Sequence, residues 1–185
     1  MILPVVLYGN SVLREVAKPI DNDYPNLKEL VSNMFETLQK ADGVGLAAPQ
    51  IGLSIRVFII DISSLNFEKD HPELKDHVKT AVMVNPEMIE RFGDVVSKEE
   101  GCLSLPDIHE KVPRPDKIKV KYFDENFVEK EEVFEGFFAR IIQHEYDHIE
   151  GKVFTDSISP LRKQLIKSKL INIVKQKVNC KYKYR

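Results

Sequence analysis

Apolar residues recur at helical spacing through Leu27, Leu30, Val31, Met34, Phe35 and Leu38, which predicts an amphipathic helix from about residue 25 to 41. Asp42-Gly43 stops it. The unbroken apolar run Val57-Phe58-Ile59-Ile60 predicts a buried strand over 56–61, and the charged stretch 63–79, with His71 and His77, reads as a surface connection. Further strands are expected near 80–84 and 95–98. Residues 117–122 alternate strictly, with Ile118, Val120 and Tyr122 on one face. Asp124-Glu125-Asn126 turns the chain, and 127–134 returns as the second arm of a hairpin. Gly136 breaks that arm, a helix follows over about 137–149, and Pro160 opens a last amphipathic helix.

These elements predict an α+β fold: antiparallel sheets packed around a central helix, with an N-terminal helix and a basic C-terminal helix over about 161–185. No repeat, low-complexity tract or Gly/Ser linker interrupts the 185 residues, so 1–185 is read as a single domain.

Composition narrows the class. With 43% hydrophobic and 30% charged residues the chain is neither disordered nor fibrous. Two cysteines, Cys102 and Cys180, make no disulfide framework and favour a reducing, cytoplasmic setting. No apolar run approaches the roughly 20 residues that span a bilayer, and the start has no signal-peptide pattern. The net charge of −2 hides a polarity, because residues 161–185 carry nine Lys/Arg and no acid. The body is thus at −11 and the tail at +9, which points the tail toward a polyanion.

The candidate chemistry lies in the 137–149 helix. His144-Glu145-Tyr146-Asp147-His148 is an HExxH pattern, and at i, i+4 both imidazoles lie on one helix face, able to hold one metal ion. Phe137 and Ile141 share that face. Two unpaired imidazoles on a core-facing surface are costly, so a metal explains them better than ordinary core histidines do. A catalytic site needs a third protein ligand. Downstream, Phe154 stands where one HExxH subclass places a third histidine, and no acid follows Asp156. Upstream, Cys102 in Glu100-Gly101-Cys102-Leu103-Ser104 is preferred; His109 is a weaker alternative, and His71 and His77 read as solvated loop residues. A Cys/His/His set suits zinc or ferrous iron and leaves a position for a water whose pKa falls to about 7. That water would be the nucleophile, with Glu145 taking its proton. A second unusual segment, residues 43–50, combines two glycines with Gln50, whose amide can donate to an oxyanion.

Three segments, in order, resemble the peptide deformylase family, whose GxGLAAxQ, EGCLS and QHExDHxxG motifs match Gly43 to Gln50, Glu100 to Ser104 and Gln143 to Gly151. The resemblance implies hydrolysis of the formyl group from N-formylmethionyl nascent peptides, with Cys102, His144 and His148 on the metal and Glu145 as general acid/base. It implies Gln50 and the Leu103 N–H as oxyanion donors, and one Fe2+ per chain, replaceable by Zn2+, Ni2+ or Co2+. Val44, Phe137, Ile141 and the aliphatic part of Glu100 would form the methionine pocket, Gly45 would offer backbone contacts, and Gly101 would also bind substrate. Some relatives dock their C-terminal helix on the ribosome, which implies the same partner for this basic tail; a monomer is expected. Arg140, where some relatives are apolar, and the long charged stretch around 68–79 depart from the pattern. An endopeptidase with the same site, and a non-catalytic metal- or RNA-binding module, are the competing readings.

Overall fold

The apolar run at 57–60 becomes β2 (Val57–Asp61), the second strand of a five-stranded antiparallel sheet. The order is β1 (Gly45–Ala47), β2, β3 (Thr80–Cys102), β4 (Leu105–Phe123) and β5 (Glu129–Glu135). The structure is a computed structural model and describes residues 1–65 and 79–185. Every β2 side chain is buried because helices cover the sheet on both faces. Phe58 and Ile60 pack with Phe138, Ile141 and Ile142 of α2 (Gly136–Ile149). Val57 and Ile59 pack with Val31, Met34 and Leu38 of α1 (Leu27–Ala41). Each such side chain removed from water contributes about 1.5–3 kcal/mol, which explains why a run with no polar alternation is stable here.

The helices expected at about 25–41 and 137–149 form near their anticipated ends. The N–H groups of Asp42, in the left-handed region at φ 57°, and of Gly43 return to carbonyls in the last turn of α1. Gly136, at φ +62°, turns the chain from β5 into α2.

The expected short strands at 80–84 and 95–98 are parts of one strand, β3. It runs back as β4 through the two-residue turn Leu103-Ser104, with Cys102 facing Leu105. Prolines 106, 113 and 115 concealed the first half of β4. They are tolerated because β5 pairs only with residues 117–123, so upstream of that β4 has a ladder on one side. Register shifts at 84/87, 88/90, 92/95 and 100/102 interrupt the alternation that marks a strand. The hairpin at 117–135 forms as expected.

The C-terminal helix requires a correction. α3 spans Pro160–Val174, started by Ser159, whose hydroxyl accepts from the Arg162 N–H at 3.3 Å, and it does not continue to 185. Gln176 sits at φ 53°, which ends it. Beyond, Val178, Cys180, Tyr182 and Tyr184 are half-buried at every second position, the period of extended chain. This tail returns to the N-terminus: Val5 pairs with Tyr184, and the Arg185 N–H donates to the Val5 carbonyl at 2.9 Å. Nor is α3 cleanly amphipathic, since Ile166 and Ile173 are buried while Leu161, Leu165 and Val174 are exposed. No described helix is long and apolar enough to cross a membrane.

Candidate active site

β3 ends and α2 passes at the same place, and there Cys102, His144 and His148 bring one ligand atom each within 4.8 Å of one another. Cys102 Sγ lies 3.2 Å from His148 Nε2, and the two imidazoles meet edge to face at 5.2 Å between centroids. Among the described residues this is the one such group. His109 stands outside it, beside Gly101. His71 and His77 lie outside the described residues.

Glu100 orients the group. Buried at 8% exposure, it receives Arg114 Nε at 2.6 Å and Nη2 at 2.9 Å, Arg140 Nη1 at 2.6 Å and His144 Nδ1 at 3.0 Å. With Nδ1 on the Glu100 carboxylate, His144 turns its Nε2 toward Cys102 and His148. Burial works to raise the Glu100 pKa, but hydrogen bonds from His144 and Arg114, with their charge, bring it down to about 2. Burial also disfavours charge on His144, yet its contacts with Cys102 and Glu100 outweigh that and push its pKa well above the ordinary imidazole value. Burial, then the neighbouring His144 charge, drives His148 the other way, to a neutral ring. One cysteine sulfur with two imidazole nitrogens is a donor set that fits a divalent cation.

Glu145 lies in the opposite environment. Burial raises its pKa to about 7, against the pull of His144 and Arg114. Among the described residues two buried side-chain polar atoms lack a partner, Glu145 Oε2 and His148 Nδ1, and both belong to this helix turn. Leaving a buried carboxyl oxygen unpaired costs stability, which marks it as a group held for chemistry. The glycine at 45 makes room for it: a Cβ there would overlap Glu145 Oε1.

Gln50, 1% exposed, is fixed in orientation because its Oε1 accepts the Ala47 N–H at 2.8 Å. Its Nε2 therefore faces Cys102 Sγ and Ser104 Oγ, each at 3.4 Å. Val44, Gly45, Gly101, Leu103, Phe137 and Ile141 all line one cavity of about 630 Å³, together with His144, Glu145 and the edge of Glu100. Sequence reasoning missed Arg114, which hides between two prolines, and its partner Asp147, 2.8 Å from Nη1. It also left Arg140 without a role; Arg140 is buried and ties Glu100 to the carbonyls of Val96 at 2.6 Å and Val112 at 2.9 Å. The missed wall of the cavity is the tail 179–182.

Comparison with known proteins agrees with this geometry. Residues 2–164 match the family described as polypeptide deformylase. The chain belongs to the peptide deformylase family. It is similar to the peptide deformylase of Christiangramia forsetii, 49% identical over 188 residues, covering 100% of this chain and 96% of that protein. Its fold is similar to a crystal structure of the Legionella pneumophila peptide deformylase, with a TM-score of 0.81 and 37% identity over 96% of this chain and 98% of that one. A Met-Ala-Ser-bound Acinetobacter baumannii peptide deformylase superposes with a TM-score of 0.77 at 38% identity, covering 85% and 99%. The deformylase is a metal-dependent hydrolase that removes the formyl group from formylated nascent peptides.

Two outcomes are expected. Since the folded pKa of Glu100, about 2, lies below its unfolded value near 4.3, its stabilisation is complete above the unfolded value and lost as pH falls toward 2. Glu100→Gln should cost about 3–5 kcal/mol in urea unfolding at pH 7 by leaving buried Arg140 without a carboxylate and Arg114 with Asp147 alone. That deficit should shrink between pH 5 and 2, and a deficit constant across the range contradicts the assignment. Gly45→Ala should fold but release formate about 10²-fold more slowly, because the new methyl displaces Glu145; unchanged turnover would show that Glu145 does not need this space.

Proposed function

We propose that Cys102, His144 and His148 hold one ferrous ion, and that Glu145 carries the proton in hydrolysis of N-formylmethionyl peptides to formate and a free amine. The observation that carries this reading is the unpartnered, buried Glu145 carboxyl, with its pKa near 7, beside three converging ligand atoms. A cation held by these three residues would lower the pKa of a water and polarise the formyl carbonyl.

The chain's own residues do the remainder. Glu145 accepts the proton of the attacking water and returns it to the departing amide nitrogen, a double use for which a pKa near the working pH is suited. Gln50 Nε2 and the Leu103 N–H steady the oxygen as it becomes negative. Val44, Phe137, Ile141 and the Glu100 stem receive the methionine side chain, supported by the cavity they share with Gly101. Among the described residues β1 is an edge strand of the sheet, so its outer backbone edge at Gly45 suits an extended peptide. The Met-Ala-Ser-bound relative supports a product of that shape.

A thiolate with two imidazoles suits zinc as well as ferrous iron, and the choice of iron, with nickel, cobalt or zinc able to substitute, rests on the family resemblance. The enzyme works in the cytoplasm as a single-domain monomer. Its basic residues from Arg162 to Arg185 suit ribosomal RNA through counterion release.

Glu145→Gln should lower formate release from a formyl-methionyl tripeptide about 10²–10⁴-fold while metal content stays at one ion per chain. Formate and internal cleavage are measured in one anaerobic tube. Unchanged formate release removes Glu145 from the mechanism, and internal fragments without formate move the protein to the peptidases.

A further inference from the structure

Leu103 and Ser104 form the two-residue turn between β3 and β4, and three contacts from distant parts of the chain hold it. The Tyr8 N–H donates to the Ser104 carbonyl at 2.8 Å, and Gln50 Nε2 lies 3.4 Å from Ser104 Oγ. The third contact comes from the C-terminus: the Tyr182 hydroxyl donates to the Leu103 carbonyl at 2.6 Å. It is the shortest of the three.

The tail that delivers Tyr182 is itself fastened at both ends. Val178 and Tyr184 pack against the cluster under α3, and the Tyr184 hydroxyl donates to the Val178 carbonyl at 3.1 Å. The Val5 N–H donates to the Lys183 carbonyl at 2.9 Å, and Arg185 Nη2 reaches the Ile51 carbonyl at 3.0 Å. Between these anchors, residues 179–182 form a wall of the same cavity that contains His144 and Glu145.

We propose that Tyr182 is a positioning residue of the deformylase reaction, with its hydroxyl, through the Leu103 carbonyl, setting the turn that aims the Leu103 N–H at the developing oxyanion. The proposal rests on the role of Leu103 given above. The carbonyl of Leu103 and its N–H flank one α-carbon, so fixing the carbonyl restricts the rotation that would swing the N–H away. An oxyanion donor acts only if held in place before the charge develops, and a misplacement of about 1 Å at such a group costs up to about 10²-fold in rate. Tyr8 and Gln50 hold the Ser104 half of the turn, and the tail, through Tyr182, holds the Leu103 half. Removing the hydroxyl should therefore affect the transition state more than the bound peptide.

The test compares full-length wild type, Tyr182→Phe and Tyr184→Phe, each metal-loaded. Tyr184→Phe removes a hydroxyl from the same tail without touching the turn. For Tyr182→Phe, kcat on a formyl-methionyl tripeptide should fall about tenfold with KM within about twofold, and the unformylated tripeptide should bind as before. Tyr184→Phe should keep the wild-type kcat. Amide exchange at Leu103 should quicken in Tyr182→Phe alone. An unchanged kcat in Tyr182→Phe, or an equal fall in both variants, overturns the proposal. Wild type that releases no formate fails the functional reading instead, and Leu103 exchange then still decides whether Tyr182 holds the turn.

Discussion

The site depends on one buried carboxylate. Glu100, at the end of β3, joins Arg114 of β4 to Arg140 and His144 of α2, and Arg114 also reaches Asp147. Two carboxylates and two guanidinium groups balance, and nearly every donor has an acceptor in the protein. Such a cluster is not a cheap source of stability, because desolvating the ions costs several kcal/mol each. What it supplies is placement: it fixes the hairpin end against the helix, so that Cys102 meets His144 and His148, and it sets which imidazole nitrogen faces them.

The same cluster separates two glutamates that sequence alone treats alike. Glu100, with arginines on two sides, stays ionised down to a pKa of about 2. Glu145 is buried with an oxygen that has no partner, and burial lifts it to about 7. One carboxylate is committed to structure and the other is free to exchange a proton. The distinction follows from environment, since both side chains carry the same group.

Much of this was legible before the structure. The 3.6-residue period of α1 and α2, the two-residue period of 117–122 and the HExxH spacing each depend on local geometry, which sequence carries directly. Cys102 was legible as the third ligand from its motif. What remained hidden depended on contacts distant in sequence. Arg114 sits between prolines that disguise a strand, and Arg140 looks like an intruder on an apolar face until Glu100, Val96 and Val112 are seen around it. The expected helix ran on to 185 because the charge of 161–185 and the apolar residues at 165–174 suggest one continuous element; the strict alternation of Val178, Cys180, Tyr182 and Tyr184 is the better signal for the tail.

The central claim is that Cys102, His144 and His148 converge on one ion. Cobalt(II) titrated anaerobically into metal-free protein tests it most directly, because a cobalt–thiolate bond absorbs strongly in the near ultraviolet. The account predicts saturation at one ion per chain with that band present in wild type and absent in Cys102→Ser. A band that survives in Cys102→Ser, or saturation without one in wild type, would contradict it.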